Sequence, residues 1–261
     1  MRAMWSGAIS FGLVNIPIQL YKASESSRLD FDLLRREDQC RIRYVRVCGD
    51  TGEEVPYDEI VKGYKWEDGR YIVLEDEDFE KANVRKTRTI DILSFADAQE
   101  IDEKYIEQPY FLVPDEKARQ AYALLREALT KSNKVGIARF VLRTREHLAM
   151  LQAEGDVIVL YQMRFAGELR STKELDLPRK VEIEDRQIKM ALQLIEQLTE
   201  PWQPEQYKDT YVEDLMRIIE QKAQGQEVEA EEEPVPIEVV DLFSQLSQSL
   251  EMAREEKKST A

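Results

Sequence analysis

A single histidine and two cysteines stand among 261 residues. The lone His147 excludes a multi-histidine metal site, and the sequence around it offers no nucleophile to work with. Cys40 and Cys48 are too few for a zinc site unless ligands come from elsewhere in the fold. With no export signal in the chain, they point to a reducing compartment, where a structural disulfide is not expected. Neither standard spacing of a glycine-rich phosphate loop occurs. No apolar run approaches the about 20 residues of a membrane-spanning helix. These absences predict a soluble, cytoplasmic protein with no cofactor, no metal and no membrane partner. The scarcest resource is positive charge: 37 Lys and Arg face 52 Asp and Glu, for a net charge of −15. Taken over the whole chain, that balance argues against a nucleic-acid partner, because affinity for phosphate rests on Lys and Arg.

The bases that are present are not evenly spread. Residues 35–46 hold five arginines (Arg35, Arg36, Arg41, Arg43 and Arg46) against two acids. Residues 81–88, "KANVRKTR", hold four bases and no acid, among them Arg85, Lys86 and Arg88. Residues 131–147 hold five bases (Lys131, Lys134, Arg139, Arg143 and Arg145) against one acid. Residues 51–80, by contrast, carry eleven acids and three bases, and residues 227–261 carry ten acids and three bases. Basic segments inside an acidic chain can still assemble one positive surface.

The opening "MWSGAISFGLVNIPIQLY" is apolar enough to suggest a leader or an anchor. Its apolar residues alternate instead: Ile9, Phe11 and Leu13 on odd numbers, Ile16, Ile18 and Leu20 on even ones. Alternation marks a half-buried strand, and the change of phase at Val14-Asn15 predicts a bulge in one bent strand. Further strands are predicted in "RIRYVRV", "RYIVL", "RTIDILSF" and "QPYFLVP". "VGIARFVLRTR" would place Arg139, Arg143 and Arg145 on one face and Phe140 and Leu142 on the other. "DVIVLYQMRF" is apolar nearly throughout, the pattern of a strand covered on both faces. One helix interrupts them, "DEKARQAYALLREALTKS", with Ala121, Leu125, Ala128 and Leu129 as its stripe. Many short strands in succession predict a barrel or a sandwich over residues 1–180.

Beyond residue 180 the pattern turns helical. Ile188, Leu192, Ile195 and Leu198 define one helix, ended by Pro201 and Pro204. Val212, Leu215, Met216 and Ile219 define the next, with Gly225 just past its end. These make a helical arm over residues 181–225. Residues 226–236, "QEVEAEEEPVP", are an acidic linker. Residues 237–261 contain an amphipathic island, with Val239, Leu242, Phe243, Leu246 and Leu250 on one helical face. About 15 residues do not bury such a face alone. The island therefore either docks in a partner's groove or folds back on its own domain.

The chain holds no catalytic constellation, which favours a binding protein over an enzyme. Two other classes stay open. The acids of "EDEDFE", residues 75–80, could hold a metal for nuclease chemistry, although such runs are more often solvated helix starts. An acidic protein-interaction scaffold would also fit the composition.

Several of these stretches together resemble the bacterial Ku proteins. The resemblance starts in "MWSGAISFGLVNIPIQLY" and continues through "RIRYVRVC", "GEEVPYDEIVKGY", "DGRYIVLEDEDFE", "RTIDILSF", "QPYFLVPDE", "AYALLREAL", "ARFVLRTREHLAML" and "YKDTY", in order along nearly the whole chain. It implies a mixed β and α fold: a central β-barrel with a bridge that encircles DNA, and a helical C-terminal arm. It implies a homodimeric ring that threads onto double-stranded DNA ends, grips sugar and phosphate without reading sequence, and recruits DNA ligase D in non-homologous end joining. DNA contacts would come from the thirteen bases named above, with Arg35 to Arg46 leading into the bridge and Lys131 to Arg145 on a barrel strand and the loop before it. Val239, Leu242, Phe243, Leu246 and Leu250 would anchor the ligase. The chain departs from the family pattern twice. Thr51 stands where many relatives carry the second cysteine of a CxxC pair begun at Cys48, so no zinc is expected. The chain ends "REEKKSTA", with two lysines in place of a lysine-rich tail.

Overall fold

The opening stretch is not one bent strand but two. β1 (Trp5–Phe11) and β2 (Val14–Lys22) form an antiparallel hairpin closed by Gly12 and Leu13, with Ile9 opposite Ile16 and Phe11 opposite Val14. Across a two-residue turn every pair of partners sums to an odd number, so the inward residues switch from odd to even. That switch is the phase change seen in the sequence; a chain reversal produces it as readily as a bulge.

The computed structural model describes residues 1–25, 29–82, 88–143, 145–178, 180–226 and 249. One compact unit spans Met1–Ser26 and Asp30–Thr172, and a second takes in the chain from Lys173. In chain order the first unit continues with β3 (Lys62–Lys65), β4 (Tyr71–Leu74), α1 (Asp76–Ala82), β5 (Thr89–Asp97), β6 (Ile106–Pro114), α2 (Arg119–Ser132), β7 (Lys134–Leu142), β8 (Arg145–Glu154) and β9 (Val157–Met163). Seven strands close into a barrel in the order β1-β2-β6-β9-β8-β7-β5, the barrel the sequence predicts, with β1 and β5 its parallel pair. β3 and β4 form a separate two-stranded hairpin.

Alternation along each strand fills the barrel. Ile9, Ile16, Ile18, Leu20, Ile90, Leu112, Phe140, Leu151, Ile158 and Leu160 are buried in one cluster. The opposite faces of β7, β8 and β9 carry a second cluster of Val135, Met150 and Met163, packed with Ile101, Tyr105 and Tyr161. Burial on both faces is why β9 reads as a continuous apolar run. α2 stops one end of the barrel with Tyr122, Leu125 and Leu129. The Tyr122 hydroxyl donates to the Leu112 carbonyl at 2.7 Å and accepts from the Ile158 N–H at 2.6 Å. The helix is therefore tied to the end of β6 and the start of β9. Of its predicted stripe, Leu125 and Leu129 are buried and Ala121 packs at the edge, whereas Ala128 is exposed and Tyr122 takes the inward place.

Two other expectations are corrected. "RIRYVRV" is not a strand: it makes only the single bridges Leu34 to Arg41 and Val47 to Glu54, and Ile42 and Tyr44 are exposed. Among the described residues no strand or helix covers its alternating face. "VGIARFVLRTR" is not one strand either. β7 ends at Leu142, and β8 begins at Arg145, opposite Leu142. The two-residue turn flips the phase again, so Arg139 points out of the barrel while Arg145 takes the inward phase at its rim.

The second unit contains α3 (Asp185–Leu198) and α4 (Thr210–Ala223). Their bounds match the sequence expectation, with Gly225 at φ +73° just beyond α4. Neither helix buries a residue. Ile188, Leu192, Ile195 and Leu198, the expected packing stripe of α3, are 44%, 58%, 62% and 61% exposed.

Candidate nucleic-acid interface

Strand direction gives the barrel two distinct ends. At the end stopped by α2 lie the Gly12-Leu13 turn, the Gly155-Asp156 turn and the end of β6. At the other end lie the last residue of β2, the first of β5 and the turn between β7 and β8. The bases differ in kind between the two. At the stopped end they are engaged: Lys134 with Asp97 at 2.6 Å, Arg126 with Asp156 at 3.2 Å, Lys131 with Glu127 at 3.1 Å and Arg119 with Glu116 at 3.8 Å. At the open end Lys22, Arg88, Arg143 and Arg145 are exposed and make no ion pair among the described residues. Arg139 pairs with Glu146 at 3.8 Å, and Arg164 with Glu107 at 3.7 Å. Exposed pairs such as these, at either end, contribute at most about 1 kcal/mol.

The insertion between β2 and β5 leaves from this open end and re-enters there. Its return is fixed by the Ala8 N–H, which donates to the Arg88 carbonyl at 2.9 Å. Gly7 makes that approach possible, since a Cβ there would meet the Arg88 carbonyl oxygen at 2.2 Å and the Trp5 ring at 2.1 Å. The insertion carries the first arginine cluster. Arg35 donates to Asp38, whose carboxyl is held below its ordinary range first by that bond and then by the Cys40 N–H. Arg41 donates to Asp32. Arg46 lies over the Tyr57 ring, 4.9 Å from its centre, a placement that keeps the charge at the surface. Arg36 and Arg43 are exposed without an ion pair among the described residues.

The interior of the open end is polar. The Tyr110 hydroxyl donates to Gln162 at 3.5 Å, and Gln162 donates to Glu107 at 2.9 Å. His147 sits beside Phe140, with ring centres 5.6 Å apart; burial pushes it below its ordinary range, partly opposed by the charge of Glu107. The single histidine is thus a neutral wall residue.

The thirteen predicted bases do not form one set. Arg143, Arg145 and Arg88 are brought to the open end, and Arg139 lies on the outer face of β7. Arg35, Arg36, Arg41, Arg43 and Arg46 lie on the insertion rooted at that end. Lys131 belongs to the last turn of α2, within the helix that the residue pattern predicts and not on the loop that the resemblance implies, and it and Lys134 lie at the stopped end in ion pairs. Arg85 and Lys86 fall outside the described residues, as do Val239, Leu242, Phe243, Leu246 and Leu250. Lys22 joins the open end unforeseen: it is a lone base in the sequence, and only its position at the end of β2 sets it beside the others. The acids of 75–80 open α1. There Asp78 accepts from the Glu75 N–H at 3.1 Å and pairs with Lys81 at 3.7 Å, while Asp76 pairs with Lys62 at 3.4 Å. Among the described residues no group of three or more His, Cys, Asp or Glu is placed to hold a metal. No described helix is long and apolar enough to cross a membrane. Cys40 and Cys48 are free thiols, and hydrogen bonds from Thr51 hold the Cys48 thiol below its ordinary range.

Residues 10–190 match the family model of the Ku70/Ku80 beta-barrel domain. The chain is 44% identical over 254 residues to a protein of Opitutus terrae named non-homologous end joining protein Ku, an alignment covering 96% of this chain and 91% of that one. It is 42% identical to the protein of the same name from Cupriavidus necator, over 100% of this chain and 80% of that one. With the Bacillus subtilis protein of that name it shares 36% identity, over 100% of this chain and 85% of the other.

Proposed function

This chain belongs to the Ku family, and from that premise we propose that it is a non-enzymatic, homodimeric ring that binds double-stranded DNA ends without sequence preference and recruits DNA ligase D for end joining. The observation that carries the reading is the rooting of the arginine-bearing insertion at the barrel end where Lys22, Arg88, Arg143 and Arg145 make no ion pair among the described residues. Bases on two separate segments are thereby directed to one side of the barrel, where they can meet phosphate on both sides of a duplex. Contacts of this type hold the backbone and carry no sequence information.

The homodimer is supported by what the single chain leaves uncovered. Neither α3 nor α4 fully buries a residue, and helices of about 14 residues are marginal in water without tertiary packing. The β3–β4 hairpin exposes Tyr64, Tyr71, Ile72 and Val73, and a lone two-stranded hairpin is also marginal. A second copy would supply the packing that such surfaces lack. Ligase recruitment rests on the apolar face of residues 239–250 beyond the acidic linker, and the setting would be the nucleoid in the cytoplasm.

The test is binding to a linear duplex of about 40 base pairs beside the same sequence closed as a circle, across a salt series. Preference for the linear form, weakening as salt rises, is expected; equal binding to both would refute threading. Deletion of residues 235–261 should abolish stimulation of ligase D and leave DNA binding intact.

A further inference from the structure

The barrel contains three hairpins with two-residue turns, and they can be compared directly. In each, the first central residue has positive φ: Gly12 at +58°, Gly155 at +54° and Arg143 at +60°. This is the region that two-residue hairpin turns require and that L side chains resist, because Cβ crowds the neighbouring carbonyl. Two of the three turns satisfy the requirement with glycine. The third places a long, fully charged side chain there.

The three turns also differ in place. Gly12 and Gly155 lie at the end stopped by α2. Arg143 lies at the open end, from which the insertion springs. It is exposed and has no ion pair among the described residues, and so is Arg145, two residues on. Among the described residues the Arg143 guanidinium makes no hydrogen bond or ion pair and acts only at a distance, through its charge, on the Tyr110 hydroxyl, while its backbone conformation costs stability. Strain of this kind persists where a function needs the side chain.

We propose that Arg143 is kept in this strained turn as a DNA-positioning residue, its guanidinium held at the tip of the β7–β8 hairpin to grip a phosphate of the bound duplex. The planar, permanently charged fork of arginine suits a phosphate oxygen pair. This inference rests on the DNA-end reading above and adds to it a residue whose conformation, not only its charge, is explained by the ligand.

The test uses the full chain with R143G, R143N and R143K, measuring thermal melting and the salt dependence of binding to a linear duplex. R143G and R143N should melt at the wild-type temperature or about 2 °C above it, since they relieve the turn. Both should bind roughly ten-fold more weakly on any sequence, with a log–log salt slope shallower by about one. R143K, which keeps the charge but lacks the fork, should recover only part of the affinity. Equal losses on 5′-phosphorylated and 5′-hydroxyl duplexes would place the contact on the internal backbone; a loss confined to phosphorylated ends would place it on the terminal phosphate. Wild-type affinity in R143G would overturn the inference and leave the DNA-end reading standing. Lower melting temperatures in both variants would overturn it by showing that the turn is unstrained. A wild-type protein that binds no duplex at all would remove the reading and the inference together.

Discussion

At the scale of single residues, buried hydroxyl groups tie the barrel strands together. Tyr122 is the clearest case. Its buried hydroxyl serves one carbonyl and one N–H on two barrel strands, so Tyr122→Phe leaves two buried backbone groups unsatisfied. The expected cost is about 1–3 kcal/mol, read as a fall in melting temperature of roughly 3–10 °C. A melt within 1 °C of wild type would show that the barrel end rearranges to satisfy both groups. Tyr161 carries a pH dependence. Burial first, and then its 2.5 Å bond to Glu154, push its hydroxyl up to about 12. The protonated form is favoured in the folded state, so this contribution is complete below the ordinary tyrosine value near 10 and is lost as pH rises from about 10 to 12. Alkaline melts of Tyr161→Phe should be flatter than wild type across that window. Parallel curves would place the alkaline loss elsewhere. Neither role was legible in the sequence. Tyr122 stands one place from the alanine assigned to the helix stripe, and the partner of Tyr161 is seven residues away across a turn.

At the scale of elements, most of what the sequence shows is right about type and wrong about continuity. β5, β6 and β9 fall where short apolar runs predict them, and α3 and α4 match their stripes. Both misread strands, 9–20 and 135–145, miss a two-residue turn, the first because its phase change reads equally as a bulge and the second because its alternation runs on unbroken through the turn. A two-residue hairpin and a bulge each reverse the phase of alternation, and the choice between them rests on where glycine lies. Gly12 could have settled the first; the second has arginine in the glycine place, so the sequence gives no such sign. "RIRYVRV" fails differently: its alternation is real, but no described strand pairs along it. The same holds for α3, whose apolar stripe is legible and uncovered. If that stripe is an interface in the proposed homodimer, Leu192→Asp with Ile195→Asp should convert the protein to monomers in sedimentation at micromolar concentration, with helix content reduced. An unchanged dimer would free α3 from that role.

At the scale of the whole molecule, net charge is a poor guide and pairing a better one. The chain is acidic overall, yet its two barrel ends differ in whether their bases already have partners. Sequence clustering put Lys131, Lys134, Arg139, Arg143 and Arg145 together because they are neighbours in the chain. The fold separates them: β7 carries its two ends to opposite ends of the barrel. It also joins bases far apart in sequence, bringing Lys22 and Arg88 to the same end as Arg143 and Arg145. A paired base must first give up its carboxylate to bind phosphate, whereas an unpaired one releases a counterion at once and gains the full salt-dependent benefit. Two sets of charge reversals therefore separate the two ends. Arg43→Glu, Arg143→Glu and Arg145→Glu together should weaken duplex binding on every sequence and lower the log–log salt slope by about three. Lys131→Glu with Lys134→Glu removes nearly as much positive charge from the same stretch of sequence but from the stopped end. It should leave the slope unchanged and cost only the two exposed ion pairs, about 1 kcal/mol of stability each at most. Equal losses from both sets would mean that the protein attracts DNA by its overall field and that the open end has no special place in binding.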